Sequence, residues 1–419
     1  MIPADRLPGV DTTEAPLAQL SGVRVLDLTT SIAGPYCTQL LGDFGASIVK
    51  IERPGAGDDA RAWGPPFLDG ESLWFMSVNR NKRSVALDWG APEGLATLHE
   101  LVRVADVVVV NLVGRIQKKL GVDAGRLRAL NPRLIHVSIT GFGLSGEGSD
   151  RPCYDLIAEG HSGVMDLTGE ADSAPQKVGT PAADLLAGAD AAMAVLAALV
   201  ARSGERDGER NGGRGGREDG RNDARNGAQQ GATIDVSMVR SMTRFMLPRV
   251  VSYLGSGEVP ARSGGKDSVI AIYQTFDTAD EPLTLGLGND GIFRRFCEAI
   301  GRRELAEDPR FASNAGRREH RGWLVGEFAD VLKDRPRAHW LSVFEAARIP
   351  AGPINRLDQL LDDPTVASQG FLYATREQGR VVPQVGLGIR IDGSSNTFRG
   401  NPPRLGEHTE EVLREWLNR

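Results

Sequence analysis

The chain has 419 residues, a net charge of −6, and 41% hydrophobic and 25% charged residues. This length allows more than one domain with a large buried core, and the acidic balance argues against a general nucleic-acid binder. The three cysteines, Cys37, Cys153 and Cys297, are widely spaced, which favours a reducing compartment over a disulfide framework or a metal site. The six histidines show no ligand spacing either.

The polar residues 1–20 lack the basic start and the apolar run of a signal peptide. We find no apolar run long enough to span a bilayer. The sequence therefore predicts a cytoplasmic protein that contacts neither membranes nor nucleic acids.

The first ordered pattern, at residues 23–51, alternates between strand and helix. A β-prone run at 23–28 precedes a helix-prone segment at 35–44 and a second β-prone run at 47–51. Such an alternation is typical of a βαβ unit in a parallel sheet. The turn at 31–34 follows the first strand at its carboxyl end, where open α/β sheets bind ligands. It lacks the G-x-G-x-x-G spacing, so it does not predict a dinucleotide site.

The alternation continues with a strand at 84–87, an amphipathic helix at 92–104, a buried strand at 105–112 and a strand at 132–141. Arg80, Lys82 and Arg83 form a basic cluster beside the first of these strands. The cluster suits an anionic ligand, and a solvated run of charge is the alternative.

Residues 203–231 interrupt the pattern with Gly, Arg, Asp, Glu and Asn and almost no apolar side chain. Such a composition cannot bury a core, so we expect a flexible, mixed-charge insertion. Its Gly/Arg content hints at RNA binding, but the acidic residues balance the arginines and favour a solvated linker. The pattern then resumes with a strand at 233–238, a helix up to 253, a hairpin at 269–287, and helices at 293–300 and 321–333.

Residues 151–188 contain the strongest candidates for chemistry. Asp184 precedes a helix-prone run of Ala, Val and Leu at 189–201. On this ground alone Asp184 is a helix cap, because an Asp side chain accepts the free amides of a first helical turn. Asp155 is a second carboxylate, and its simplest interpretation is a loop residue that starts the next helix.

The same segment combines Y-D at Tyr154–Asp155, then L-T-G, then P-x-x-V-G-x-P-x-A-D-L-x-A-G ending at Gly188. This highly specific combination resembles the class III CoA-transferases, the CaiB–BaiF family, and the resemblance extends over nearly the whole chain. It implies that Asp184 is a catalytic nucleophile and that Asp155 supports it. Coenzyme A would be a co-substrate, with no metal and no permanently bound cofactor.

The resemblance also implies a set of CoA contacts and a glycine-rich loop over the active site. The CoA contacts would be Ile32, Ala33, Arg53, Leu87, Asn111, Lys119, Arg151 and Tyr154. The loop would contain Gly264 and Gly265, because glycines give a loop hinge freedom and let its backbone approach a ligand.

In such a family member, Asp184 would move CoA from an acyl-CoA to a carboxylic acid through an aspartyl anhydride and an aspartyl-CoA thioester. The start of its helix is expected to keep Asp184 ionised and to offer N–H groups to the oxyanion.

Two alternatives remain beside this CoA-transferase. A 2-methylacyl-CoA racemase of the same family needs two acid/base groups, and Tyr154 stands where its histidine would be. A phenol is a poor substitute for that histidine at neutral pH. The second alternative is a non-catalytic CoA-binding scaffold.

The predicted fold is α/β, with a large domain around a Rossmann-like parallel sheet and a smaller α+β domain. The predicted division is 1–202 for the N-terminal part of the large domain, 203–231 for the insertion, 232–333 for the small domain with its glycine loop, and 334–419 for the return to the large domain. The resemblance implies an interlocked homodimer of ring-shaped chains, whose other partners are an acyl-CoA and a carboxylic acid.

Overall fold

Six parallel strands form the central sheet of this computed structural model, which describes residues 3–10, 14–211, 231–377 and 380–419. In chain order the strands are β1 (Arg24–Asp27), β2 (Ser47–Glu52), β3 (Phe67–Leu68), β4 (Glu71–Ser72), β5 (Lys82–Ala86), β6 (Val107–Val110), β7 (Ile135–Thr140), β8 (Thr233–Ser237), β9 (Tyr273–Phe276), β10 (Leu283–Gly286), β11 (Ala351–Pro353), β12 (Leu372–Glu377) and β13 (Arg380–Val385). The order in the large sheet is β5-β2-β1-β6-β7-β8, and every neighbouring pair is parallel. This order confirms the predicted Rossmann-like sheet.

Helices connect and cover the strands. In chain order the α-helices are α1 (Ala33–Asp43), α2 (Leu73–Ser77), α3 (Pro92–Val104), α4 (Gly114–Leu120), α5 (Ala124–Leu130), α6 (Asp155–Ser162), α7 (Val164–Leu167), α8 (Ala182–Asn211), α9 (Met238–Phe245), α10 (Leu247–Ser256), α11 (Asp290–Ala299), α12 (Arg303–Glu307), α13 (Asn314–Glu319), α14 (Arg321–Leu332), α15 (Arg337–Ala346), α16 (Pro364–Ser368) and α17 (Thr409–Leu417). Short 3-10 helices lie at Pro3–Arg6, Asp59–Ala62, Pro309–Phe311 and Leu357–Gln359.

The sheet core consists of aliphatic strand residues. All residues of β6 are valines without exposed surface, which is typical of a parallel strand covered on both faces. Val25 of β1 lies opposite Val107 of β6. After β1, the chain first adds β2 and β5 on one side of this strand in the sheet and later adds β6 on its other side. Because the strand order reverses at β1, a crevice opens at the carboxyl ends of β1 and β6.

The basic cluster at the start of β5 forms ion pairs within the protein. Arg80 pairs with Asp43 at 2.6 Å and Lys82 pairs with Asp27 at 2.9 Å, and all four side chains are buried. Arg83 pairs with acidic residues of α17. Both interpretations of the cluster, an anion site and a solvated run of charge, were therefore wrong, because carboxylates distant in the sequence pack against it.

The apolar run around Asp184 is longer than the predicted run at 189–201. Ala182–Arg202 forms 21 residues of helix that are long and apolar enough to cross a membrane by composition alone, so the expectation of no such run was wrong. This part of α8 is a partly buried core helix. A Cβ on Gly188 would lie 2.6 Å from the carbonyl oxygen of Ala33, so the two helices α8 and α1 pack closely at this glycine.

The predicted insertion at 203–231 begins as a continuation of α8, whose helical backbone extends to Asn211. Residues 203–211 are therefore helical, whereas a flexible chain was predicted there. Residues 212–230 of the predicted insertion lie outside the described residues.

Two compact units divide the chain. The first comprises Met1–Val164, Lys177–Gly257 and Ala367–Arg419, and the second comprises Met165–Gln176 and Glu258–Val366. The predicted small domain spans 232–333, whereas the main segment of the second unit is Glu258–Val366. The start differs because β8 pairs in parallel with β7 and so completes the large sheet. The end differs because residues 334–366, predicted to return to the large domain, belong to the second unit.

The second unit contains an antiparallel sheet of order β11-β10-β9. Strands β9 and β10 form the predicted hairpin. Its core is aromatic, since the ring of Phe296 lies 4.8 Å from that of Phe328 and 5.5 Å from that of Phe344, and all three are buried. This unit therefore has a hydrophobic core of its own.

Candidate active site

Asp184 lies in the first turn of α8, and only 8% of its surface is exposed. The helix begins here because Pro181 has no backbone N–H and so cannot donate to a preceding helical turn. The residues that follow it include Ala and Leu, which are strong helix formers. Within the described part of the chain, the Asp184 carboxylate accepts no hydrogen bond. A buried carboxylate without a hydrogen-bond donor is an energetically costly group, which is typical of a site of reaction.

Asp155 caps the same helical turn from a neighbouring helix. It is the first residue of α6, and its Oδ1 accepts the amides of Ala183 at 2.8 Å and of Asp184 at 3.2 Å. The capping role that the sequence suggested for Asp184 therefore belongs to Asp155. The interpretation of Asp155 as the start of a helix is confirmed, and its side chain in addition lies beside Asp184.

Burial and the negative charge of Asp155 raise the pKa of Asp184 to about 7. The expectation that the helix start keeps Asp184 ionised was therefore wrong, because desolvation and repulsion between carboxylates outweigh the helix dipole. The expected oxyanion donors are also occupied. The first four amides of α8 donate either to the Asp155 carboxylate or to the backbone carbonyls of residues 180–181.

Glu159 is a third carboxyl group at this site, and it was not predicted from the sequence. It lies one turn after Asp155 in α6 and is fully buried. Its Oε2 accepts the amide of Val178 at 2.9 Å, on the segment that leads to Asp184. Burial, together with the charge of Asp155, raises the pKa of Glu159. The available signal was the spacing of the two acids, since residues four apart share one helical face.

A cavity of about 280 Å³ lies at the carboxyl ends of β1, β2 and β6, in the first unit. This is the crevice at which the strand order reverses, the usual ligand position in open α/β sheets. The residues that line it are Leu28, Thr29, Thr30, Ile51, Glu52, Arg53, Gly57, Asp58, Asp59, Trp89, Asn111, Leu112 and Leu120.

The turn after β1 forms one wall of this cavity, and polar side chains from other elements hold it. Asn111 accepts the amide of Thr30 at 3.1 Å and donates to the carbonyl of Thr30 at 2.7 Å. Asp58 accepts the amide of Ser31, whose φ is 70°, at 3.0 Å. Asp58 also pairs with the buried Lys50 at 2.8 Å. The wall is thus preorganised by hydrogen bonds and by a buried ion pair.

Arg53 and Asn111 are the predicted CoA contacts that line this cavity. Arg53 is half exposed and pairs with Asp59 at 2.7 Å. The other predicted contacts lie elsewhere in the first unit. Ile32 and Ala33 are buried at the start of α1, and the amide of Leu87 donates to the carbonyl of Glu52 at 2.9 Å. Lys119 is exposed on α4, Arg151 pairs with Glu147 at 3.2 Å, and Tyr154 is 67% exposed. Trp89 and Asp58 line the cavity and were not identified from the sequence.

Gly264 and Gly265 lie in the second unit, and packing within that unit requires both glycines. Gly264 has a φ of 58°, and its amide donates to the carbonyl of Gly169 at 2.9 Å. A Cβ at Gly264 would meet the Glu170 carboxylate at 2.2 Å, and one at Gly265 would meet the Thr275 hydroxyl at 2.9 Å. The role of these glycines as a lid over the active site stays a prediction.

A larger cavity, of about 630 Å³, lies at the amino ends of β2 and β5, away from this chemistry. Its arginines already have partners in the protein. Arg83 and Arg380 pair with acidic residues, and Arg399 donates to the carbonyls of Gly42 and Thr397. Within the described ranges, no group of three His, Cys, Asp or Glu side chains could hold a metal ion.

Comparisons with known proteins cover nearly the whole chain. The sequence profile of CoA-transferase family III matches residues 20–211 and 222–409. A succinate–glutarate CoA-transferase of Agrobacterium fabrum is 37% identical over 405 residues, which cover 94% of this chain and 95% of that protein. An acetyl-CoA:oxalate CoA-transferase of Acetobacter aceti is 34% identical over 409 residues, with coverage of 97% and 98%. The crystal structure of a CaiB/BaiF family protein from Brucella suis has a TM-score of 0.79 and 35% identity, and covers 96% of this chain and 100% of that one.

Proposed function

This chain belongs to CoA-transferase family III, and on that premise we propose that Asp184 is the nucleophile of its reaction. The protein is a CoA-transferase, an enzyme that moves CoA between acyl-CoA thioesters and carboxylic acids. One observation carries the proposal: Asp184 is a buried carboxyl group beside a second carboxylate, with its pKa raised to about 7. A poorly solvated carboxylate is a stronger nucleophile than one in water.

The proposed reaction consists of four acyl transfers. The Asp184 carboxylate attacks the thioester carbonyl of the donor and expels CoA thiolate, which leaves a mixed anhydride. The thiolate then attacks the aspartyl carbonyl and expels the donor acid as a carboxylate, which leaves an aspartyl-CoA thioester. The acceptor carboxylate repeats both steps in reverse, so that a new acyl-CoA leaves and the Asp184 carboxylate is restored. No proton is gained or lost, and each step exchanges one acyl bond for another.

Asp155 supports the reaction in two ways. Its Oδ1 holds the amides of Ala183 and Asp184, which fixes the first turn of α8 and with it the position of the nucleophile. Its charge repels the Asp184 carboxylate but not the neutral anhydride or thioester formed from it. The repulsion that raises the pKa of Asp184 therefore also favours the covalent intermediates over the free carboxylate.

We propose that CoA binds in the cavity at the carboxyl ends of β1, β2 and β6. Its position at the strand-order reversal supports this. Arg53 would contact a phosphate of CoA, because a guanidinium matches phosphate geometry. Asn111 would contribute to CoA binding indirectly, because it holds the turn after β1 through its two hydrogen bonds to Thr30.

The donor and acceptor acids are proposed to be short dicarboxylic acids. Relatives that the chain matches over nearly its whole length are named for succinate and glutarate, for oxalate, and for mesaconate. Succinyl-CoA with glutarate is therefore the first pair to assay.

We further propose that the enzyme is a homodimer of interlocked chains. Helix α10 contains no buried residue in the single chain, and its apolar side chains Leu247, Val251 and Leu254 are 57%, 57% and 74% exposed. An apolar helix face of this kind is typical of an interface, and a second copy of the chain is its proposed occupant. A cytoplasmic location is proposed as well, which the free state of Cys37, Cys153 and Cys297 supports.

The proposed nucleophile is tested by mass spectrometry of the protein after incubation with succinyl-CoA and trapping with hydroxylamine or borohydride. The expected result is a mass change on the peptide that contains Asp184, and its loss in Asp184→Asn. Full CoA transfer between succinate and glutarate by Asp184→Asn would contradict the proposal. Exchange of the α-proton in deuterated water without any adduct would indicate racemase chemistry instead.

A further inference from the structure

Glu159 is a buried acid for which the proposed reaction has no role. The side chain has no exposed surface. Its Oε2 accepts the amide of Val178 at 2.9 Å, whereas its Oε1 has no hydrogen-bond donor in the described part of the chain. A buried oxygen without a partner is energetically costly, so such an atom calls for an explanation.

The groups around Glu159 offer it little compensation for a negative charge. Asp155 lies one turn earlier on α6, within hydrogen-bonding reach of the Glu159 carboxyl group. The positive charge of Lys177 acts in the opposite direction on the pKa of Glu159, but Lys177 is exposed and its Nζ donates to the carbonyl of Val178 at 2.8 Å. Asp184 is a third acid, and its amide donates to Oδ1 of Asp155 at 3.2 Å. Glu159 is buried and Asp155 is partly exposed. Ionisation of the buried Glu159 next to the Asp155 carboxylate carries an electrostatic cost, so the pair favours a state that holds one proton.

We propose that Glu159 carries this proton and donates it through Oε1 to Asp155, and that Glu159 is therefore a positioning residue of the transferase. The carboxyl group would then have a partner for each oxygen: the Val178 amide for Oε2 and the Asp155 carboxylate for Oε1. Asp155 in turn keeps its Oδ1 free for the amides of Ala183 and Asp184. The chain of contacts runs from Glu159 through Asp155 to the first turn of α8.

The consequence concerns the orientation of Asp155. Without the hydrogen bond, the two carboxyl groups repel, and rotation of Asp155 would release the turn that carries Asp184. A small displacement of a nucleophile lowers the rate of attack strongly, on the order of tenfold or more. This inference rests on the proposed role of Asp184, and it adds a proton that has to stay on Glu159 while Asp184 is ionised.

Glu159→Gln and Glu159→Ala separate the proposal from a merely structural role. The glutamine can accept from Val178 with its oxygen and donate to Asp155 with its amide nitrogen, whereas the alanine can do neither. We expect Glu159→Ala to slow formation of the trapped Asp184 adduct by at least tenfold and Glu159→Gln to restore most of that rate. We also expect the activity of the natural enzyme to decline at alkaline pH as the proton leaves, and this decline to be absent in Glu159→Gln. Glu345→Gln, an exposed change of the same kind in the second unit, serves as the control.

A second measurement needs no turnover. The infrared spectrum of Asp184→Asn should contain the carbonyl band of a protonated, buried carboxyl group, and the band should vanish in Asp184→Asn combined with Glu159→Gln. Absence of the band, or an alkaline decline that persists in Glu159→Gln, would overturn the proposal. Failure to trap any adduct in the natural enzyme would instead contradict the role of Asp184, and the infrared result would still report on Glu159.

Discussion

The environment of the Asp184 carboxyl group disfavours its ionised form, and this agrees with the nucleophilic role proposed for it. Its carboxylate is desolvated, lies beside Asp155 and accepts no hydrogen bond from the described residues. Each of these features raises the free energy of the ionised form. The proposed anhydride and thioester of the same side chain carry no charge, so these features do not destabilise them in the same way. The pKa of about 7 is the measurable sign of this arrangement.

The same shift makes the stability of the fold depend on pH. Because the pKa of Asp184 rises from 3.8 to about 7 on folding, the folded chain binds the proton more tightly between these values, and stability falls as the pH rises through this window. We expect Asp184→Asn to remove this part of the pH dependence. Above pH 7 the variant should be more stable than the natural protein by roughly 1–4 kcal/mol, since the full shift is worth about 4 kcal/mol.

Urea unfolding at pH values on both sides of the window measures this effect. Below the window, the free energy of unfolding should change with pH in nearly the same way in both proteins. Through the window, it should fall more steeply with rising pH in the natural protein than in Asp184→Asn. Equal stability of both proteins above pH 7 would show that burial of the ionised Asp184 carries no cost. Activity should rise as the pH passes through about 7, the pKa of Asp184 in the folded protein, since the carboxylate form attacks.

At the scale of elements, the turn between β1 and α1 shows how a binding wall is built from distant parts of the chain. The turn itself provides backbone groups and an unusual φ at Ser31. Asn111, at the end of β6, and Asp58, in the loop after β2, supply the hydrogen bonds that hold it. The parallel sheet brings these three strand ends to one edge, so the wall exists only because the strands are neighbours.

Asn111→Ala removes both hydrogen bonds between this side chain and Thr30. We expect the KM for the acyl-CoA to rise roughly tenfold with a small change in kcat, because two hydrogen bonds of about 1 kcal/mol each hold the wall. Steady-state kinetics with succinyl-CoA measures this. Asn131→Ala is the matched control, since Asn131 bonds the carbonyls of Val102 and Ala105 away from the cavity. A kcat loss without a KM change in Asn111→Ala would place Asn111 in the chemistry instead.

At the scale of the whole molecule, the exposed apolar surface of the first unit is the feature that supports the proposed homodimer. Helix α10 has no buried residue, and Leu156 and Ile157 on α6 are 48% and 45% exposed directly after Asp155. Removal of such surface from water provides about 25 cal/mol for each Å². A second chain that covers the face would therefore also shield the surroundings of the active site.

We expect light scattering after size exclusion to give a mass near twice the chain mass of 45.0 kDa. Val251→Asp combined with Leu254→Asp should give the single-chain mass and a large loss of CoA transfer, because two charges cannot be buried in an apolar interface. Leu357→Asp, at an 86% exposed site of the second unit, should leave the mass unchanged. A monomeric natural enzyme with full activity would contradict the proposed dimer.

Local patterns were sufficient for much of the fold. The βαβ alternation of residues 23–51, the valine run of β6 and the hairpin of β9 and β10 were predicted because hydrophobic period and turn residues act over a few positions. The motif around Asp184 likewise predicted the candidate site, since the proposed nucleophile and its helix are adjacent in the chain. The sequence by itself thus determined the α/β class and the family.

Tertiary structure alone decided the electrostatics and the boundaries. Asp155 and not Asp184 caps α8, the basic cluster at β5 pairs with buried acids, and Glu159 joins the site. β8 belongs to the large sheet because it pairs with β7. The physical reason is common to all of these: the charge of a side chain, and the unit to which a strand belongs, depend on the groups that pack against it, and those groups come from distant positions in the chain.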